Sequence, residues 1–393
     1  MSYVRPQVAE LEKALSGRVP LLQVVVGPRQ VGKSMAAFQL SQQLGWPVIL
    51  DSADSALPLS VEWISNHWRQ ARQAAKGGKM LLVLDEIQKV PGWSEEVKRL
   101  WDEDRRTGSL VRPLLLGSSA LLMQQGLTES LAGRFFLHRF LHWTWPECRQ
   151  AFGLNFEQWL YFGGYPGAAE FVGDEPMWKR YVVDSLIETV VARDVLQLQV
   201  VHKPALLRQL FALAGTFPAQ IFSYNKMLGQ LHDAGNTTTL AHYLQLLETA
   251  FLATGLEMFS KGKLRRRGSS PKLILWNNAL VNAPALRTFN QAQADGSWRG
   301  RLVENAVGAK LLSELQGTSW SVSYWRDGDQ EMDFVVSSGE AVWGIEVKSG
   351  RSGKTPGIGA FKQAYPEAKL LLIGAGGVPL EEFFERPAPE WLG

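Results

Sequence analysis

Short, continuous apolar runs alternate with longer stretches in which apolar residues recur every three to four positions. In the first third of the chain the runs fall at 21–26, 48–51, 80–85, 113–117 and 134–140. Strands of that kind are buried on both faces. Helical periodicity occupies 33–44, 61–75, 95–105 and 120–126. Such alternation predicts a mainly parallel sheet covered by helices, with ligands at the carboxyl ends of its strands. The middle is helical instead. A helix at 156–162 is broken by Gly163-Gly164-Tyr165-Pro166, and a long helical pattern at 177–198 completes an all-helical lid. Three shorter helices at 205–214, 225–232 and 240–252 then precede strand-like segments at 253–259 and 272–276, the order of a winged helix. The last part reads as a helix at 299–315, strands at 321–325, 330–336 and 341–347, a helix at 358–364 and a strand at 369–373. The expected domains are therefore 1–145, 146–202, 203–285 and 286–393.

The loop between the first strand and first helix is Gly27-Pro28-Arg29-Gln30-Val31-Gly32-Lys33-Ser34, with the spacing of a Walker A phosphate-binding loop. Its glycines let backbone N–H groups surround a triphosphate, and the following helix N-terminus favours negative charge. Lys33 is expected to reach the β- and γ-phosphates and Ser34 to hold Mg²⁺. The run 80–85 ends in Asp85-Glu86, a Walker B pattern. Asp85 is expected to hold the metal through water, and Glu86 to orient and deprotonate the attacking water. Ser118-Ser119 ends the strand at 113–117. There it serves as a γ-phosphate sensor or as a turn or helix cap. The expected ligands are ATP and Mg²⁺.

These motifs resemble the AAA+ ATPases, more closely a prokaryotic group near the STAND and archaeal MNS-type ATPases. The resemblance rests on Gly27–Ser34, Leu84-Asp85-Glu86-Ile87-Gln88, Gly117-Ser118-Ser119 and Leu131-Ala132-Gly133-Arg134. In that family the last motif leads through a strand to a Leu-x-Pro-Leu-x-x-Glu-like turn. Here the turn reads Leu141-His142-Trp143-Thr144-Trp145-Pro146-Glu147, which keeps the proline and glutamate but not the order. The resemblance implies Arg134 as a cation acting on the γ-phosphate, in cis or across a subunit interface, with Arg193 the second choice and a surface ion pair the alternative. It also implies homo-oligomers. The likeness continues through Thr238–Phe251, Ser270–Leu273, Leu302–Asn305, Tyr324–Arg326 and Glu331–Phe334, into a carboxyl-terminal domain that the family carries without a described function.

Two further groups of residues carry chemistry. The segment 260–272 holds six cations, Lys261, Lys263, Arg265, Arg266, Arg267 and Lys272, and no acid. Phosphates neutralised there give salt-sensitive, sequence-independent DNA affinity. Thr237, Thr238, Thr239, His242 and Tyr243 start the presumed recognition helix. A solvated hairpin or a protein-contacting winged helix is the alternative. In the last domain Glu304 lies on the helix, Asp333 on the second strand, and Glu346 and Lys348 on one face of the third. Three carboxylates and a lysine suit a hard cation that activates water at a scissile phosphate. The set resembles the PD-(D/E)XK restriction-endonuclease-like fold, with Met332 in place of the leading proline. Cleavage, DNA binding without cleavage and a structural role all remain open.

Composition changes little in this picture. The chain has 393 residues, 46% hydrophobic and 20% charged, in the range of a folded multidomain protein. Fifteen tryptophans point to large apolar contact surfaces. The formal net charge is only +3, so local clusters must carry any nucleic-acid argument. The one cysteine, Cys148, excludes an internal disulfide and reads as a plain thiol. No apolar run reaches membrane-spanning length and the first residues lack a signal pattern, so a cytoplasmic protein without membrane contact is expected. The combined expectation is an α/β fold: a P-loop AAA+-type sheet with a helical lid, a winged helix and a restriction-endonuclease-like α/β domain. Its expected task is ATP-driven remodelling, translocation or branch migration of duplex or branched DNA, selective for structure rather than sequence. The alternative is a STAND-like signalling ATPase whose later domains bind a protein.

Overall fold

A computed structural model describes residues 3–17, 21–118, 123, 126–128, 130–195, 201, 203–233, 235–260, 270–350 and 356–393. The chain forms two compact units, Met1–Leu141 and His142–Gly393.

The first unit is built on five parallel strands: β1 Leu22–Val26, β2 Val48–Ser52, β3 Met80–Asp85, β4 Val111–Gly117 and β5 Phe135–Arg139. Their order across the sheet is β2-β3-β4-β1-β5. β1, β3 and β4 are fully buried, as their unbroken apolar runs require. Because β4 lies between β1 and β3, the end of β4 sits between the phosphate loop and the acidic pair. Helices α1 Pro6–Ser16, α2 Lys33–Leu44, α3 Val61–Ala74 and α4 Trp93–Thr107 cover the sheet. α2 turns Ala36, Ala37 and Leu40 inward and ends at Gly45, whose φ of +62° suits glycine. Trp68 of α3 is fully buried and donates to Asp104 of α4 at 2.7 Å, so the indole is both packed and polar-satisfied.

In the second unit the helix Phe156–Phe162 appears at its expected bounds. The long helix expected at 177–198 is a short α-helix, Glu175–Tyr181, continued by π-helical stretches Val182–Ile187 and Val190–Val195. Helices Pro204–Thr216, Tyr224–Gln230 and Thr237–Thr249 follow, then an antiparallel ladder of β6 Ala253–Leu256 and β7 Lys272–Leu275. The last part is the helix Gly296–Leu315 with strands β8 Ser321–Asp327, β9 Gln330–Ser338, β10 Ala341–Lys348 and β11 Lys369–Gly374, in the order β11-β10-β9-β8. β8, β9 and β10 are antiparallel and β11 joins β10 in parallel. One hydrophobic core runs from Trp145 to Leu392. The helical, ladder and sheet parts thus share a single interior where the sequence pattern divides them into three. No described helix is long and apolar enough to cross a membrane.

Candidate functional sites

The phosphate loop leaves β1 and enters α2 through two left-handed residues, Gln30 at φ +58° and Gly32 at φ +89°. Gly32 adopts this freely, whereas Gln30 is held there against its preference. Gly27 is required by contact: a Cβ there would lie 1.8 Å from the Phe140 carbonyl oxygen. Buried Arg5 braces the same region from outside the motif. Its Nη1 donates to the carbonyls of Val31 at 3.3 Å and Leu141 at 3.1 Å, and its guanidinium lies 5.6 Å from the Phe140 ring centre. Lys33 folds back, its ammonium donating to the Gly27 and Pro28 carbonyls at 3.0 and 2.7 Å.

The acidic pair stands beside this loop. Ser34 donates to Asp85 Oδ2, and Asp85 Oδ1 accepts from the Glu86 amide at 2.8 Å. Burial raises the Asp85 pKa, opposed by the Ser34 hydrogen bond. Glu86 takes a left-handed φ of +51°, so the chain turns sharply after β3. Its carboxylate accepts from Gln88 Nε2 at 2.6 Å and from Ser118 Oγ at 2.8 Å. Thus Ser34 meets Asp85 and Ser118 meets Glu86. Ser118, expected to sense the γ-phosphate, holds the Glu86 carboxylate in this structure. Gln88 is the residue that sequence reasoning passed over, although it stands two positions after Glu86. Asp51, at the end of β2, is held by Trp63 Nε1 at 3.1 Å and His67 Nε2 at 3.0 Å. Ser119 lies outside the described residues.

Arg134 requires a correction. Its carbonyl accepts from Leu22, the first residue of β1, whereas the phosphate loop follows the last. The two ends of a five-residue strand lie roughly 13 Å apart. The Arg134 guanidinium makes paired hydrogen bonds to Asp102 at 3.0 and 3.2 Å, 5.8 Å from the Trp101 ring centre. It does not face the phosphate loop of its own chain. The side chain of Arg193 lies outside the description.

The carboxyl-terminal cluster assembles from four elements. Glu304 comes from the helix Gly296–Leu315, Glu331 and Asp333 from β9, Glu346 and Lys348 from β10, and Lys272 from β7. The strand period puts Glu331 and Asp333 on one face of β9. Oxygens of Glu304, Glu331 and Asp333 lie within 4.8 Å of one another. Lys272, fully buried, places Nζ 2.5 Å from Glu304 Oε1, 3.1 Å from Glu331 Oε1, and 3.1 and 3.6 Å from the Asp333 carbonyl and Oδ1. This overturns its expected place among the DNA-contacting cations: the side chain points into the protein. The other five, Lys261, Lys263, Arg265, Arg266 and Arg267, lie outside the described residues.

Neighbouring groups complete the cluster. Lys348 pairs with Glu346 at 2.5 Å, and Asp333 Oδ2 accepts from the Val347 amide at 2.8 Å. Glu346 is buried and its Oε2 has no hydrogen-bond partner. Burial and the Asp333 charge push Glu304 up to about 8 and also raise Glu346. Burial opposes charge on Lys272, but Glu304, Asp333 and Glu331 outweigh it and hold the ammonium protonated. Asn305, next to Glu304, accepts from the Leu275 amide and donates to its carbonyl, both at 2.9 Å. The helix therefore grips both ends of β7.

Comparison with known proteins bears mainly on the first site. Residues 20–148 match a family described as an AAA domain. Residues 153–292 and 299–382 match two families described as domains of unknown function, DUF8612 and DUF4143. The Glu304–Lys348 cluster therefore falls in a region whose family description names no nuclease. An uncharacterized protein of Mycobacterium tuberculosis is 26% identical over 352 residues, covering 88% of this chain and 73% of its own length. An uncharacterized protein of Haemophilus influenzae is 23% identical over 351 residues, covering 83% and 82% respectively. The AAA match supports nucleotide binding and ATP hydrolysis by the first unit.

Proposed function

We propose that the chain is an ATP-hydrolysing switch that acts on DNA, the first unit turning over nucleotide and the second engaging the nucleic acid. The observation that carries the hydrolytic half is the paired arrangement at the sheet end, Ser34 with Asp85 and Ser118 with Glu86. The backbone from Gly27 to Ser34 would hold the phosphates, and Ser34 with Asp85 would hold Mg²⁺, an oxygen donor set that suits a hard cation. Bound Mg²⁺ would neutralise charge developing on the phosphates. Lys33 swings from the Gly27 and Pro28 carbonyls onto the phosphates. Glu86, fixed by Ser118 and Gln88, orients water and takes its proton.

The DNA half rests on composition and element order. Five cations, Lys261, Lys263, Arg265, Arg266 and Arg267, fall between the two ladder strands. Three helices precede that ladder, as in a winged helix. The carboxyl-terminal sheet and helix follow the order of a nuclease-like fold, and in this reading they bind DNA rather than cut it. We extend the proposal to self-association, in which Arg134 serves the nucleotide of a neighbouring copy. One observation favours a second reading, a signalling ATPase whose second unit binds a protein: Lys272, part of the basic run, is buried.

Steady-state ATP hydrolysis at low salt with single-stranded, duplex, forked and four-way-junction DNA decides between the two. Stimulation by one DNA form, absent in Glu86→Gln, supports the DNA-coupled switch. A slow rate indifferent to every DNA form sinks it and leaves the signalling ATPase.

A further inference from the structure

We infer that Lys272 is the resident cation of the carboxyl-terminal acid cluster, standing where three converging carboxylates would otherwise gather a divalent metal. An ammonium group has three N–H donors and no acceptor. Lys272 Nζ meets Glu304 Oε1, Glu331 Oε1 and the Asp333 carbonyl at 2.5, 3.1 and 3.1 Å, one acceptor for each donor. Asp333 Oδ1 stands a little farther off at 3.6 Å. A divalent ion held by the same three side chains needs their oxygens 2.0–2.6 Å away, in the volume the ammonium fills.

The lysine is also built in. It is fully buried and belongs to β7. That strand pairs with β6, bridges Ile221 and is held at Leu275 by both polar atoms of Asn305. A solvent cation displaces Lys272 only by unzipping this strand. The cluster thus acts as an internal clamp between β7, the helix Gly296–Leu315 and β9, and it neither takes up metal nor hydrolyses phosphodiesters. This inference concerns the second unit alone and stands whether or not the ATPase is coupled to DNA.

The test is Mn²⁺ uptake by the nucleotide-free full chain carrying Ser34→Ala, followed by electron paramagnetic resonance of free Mn²⁺. No Asp333-dependent uptake is expected from this protein. Adding Lys272→Ala is expected to lower Tm by about 10 °C and to create one Mn²⁺ site. Mn²⁺ then restores part of the lost Tm, and further addition of Asp333→Asn abolishes that rescue. The inference is overturned by Mn²⁺ uptake in the Lys272-containing protein that Asp333→Asn removes, or by Asp333-dependent cleavage of duplex DNA. A Lys272→Ala protein as stable as its parent, or one that Mn²⁺ does not rescue, overturns it equally. Should Lys272→Ala fail to fold, the titration of the Lys272-containing protein decides alone.

Discussion

The two acid clusters of this chain are handled in opposite ways. At the end of β3, Asp85 and Glu86 are held by neutral donors, Ser34, Ser118 and Gln88, while Lys33 donates to backbone carbonyls. In the second unit Lys272 lies directly among Glu304, Glu331 and Asp333. In the proposed function the first arrangement keeps a lysine and two acids ready for an incoming phosphate and metal. The second has already supplied its own cation. Similar residue types therefore give a ligand-seeking site in one unit and a self-satisfied one in the other, and the placement of one ammonium decides which.

The contrast breaks most sharply under substitution. Glu86→Gln is expected to reduce ATP turnover by about 10²–10⁴-fold, the usual span for a general base, while nucleotide binding measured by fluorescence titration persists. Turnover within a few-fold of wild type would remove Glu86 from its role. The lysines separate the two clusters by stability. Lys272→Met leaves three half-buried acids without their cation and should cost about 3–5 kcal/mol in urea unfolding. Lys33→Met loses hydrogen bonds to the Gly27 and Pro28 carbonyls and should cost about 1–3 kcal/mol. Equal losses would erase the distinction.

Acidity sharpens it further. Glu304 titrates at about 8 in the fold, well above an unfolded carboxyl. Its protonated form is therefore favoured in the folded state. The resulting stabilisation is fully present below the unfolded value and is lost as pH rises to about 8. In the first unit burial lowers His138 to about 4, so its contribution is lost in the other direction, as pH falls below the ordinary histidine value. Thermal unfolding between these limits should show opposing slopes in the two units. Glu304→Gln should flatten the slope of the transition that Lys272→Met shifts; an unchanged slope would refute the assignment. The smallest effect is expected of Ser118→Ala. Removing one of two hydrogen bonds to Glu86 should lower kcat by roughly 5–10-fold, the equivalent of about 1 kcal/mol, with KM little changed.

Much of the first unit was legible because its signals are local. The 80–85 run is β3 at its full length, and α2 starts and stops where the loop and Gly45 place it. The carboxyl-terminal strands likewise lie within one or two residues of their expected limits at most ends, since period and turn residues mark them. Pairings across the fold were less legible. Lys272 looks like the last of six surface cations, and only the β6–β7 ladder and Asn305 turn it inward. Its partner Glu304 lies 32 residues on and Glu331 a further 27, too far for any short pattern to join them. Glu331 did have a signal, two positions before Asp333 on the same strand face. Arg134 was misplaced for a similar reason. A strand-flanking arginine reads alike at either end of a sheet, and register alone puts it at the amino end. The π-helical stretches after Tyr181 carry the apolar spacing of an ordinary helix, so periodicity did not distinguish them.

Arg5 has a consequence of a mechanical kind. Its guanidinium grips the phosphate loop at Val31 and the outgoing chain at Leu141, while Gly27 rests against Phe140. Leu141 is the last residue of the first unit. The loop and the peptide that follows β5 therefore share one guanidinium, and a shift of either disturbs the hydrogen bond that holds the other. Arg5 is the tie rod of that linkage, joining the phosphate loop to the peptide that follows β5.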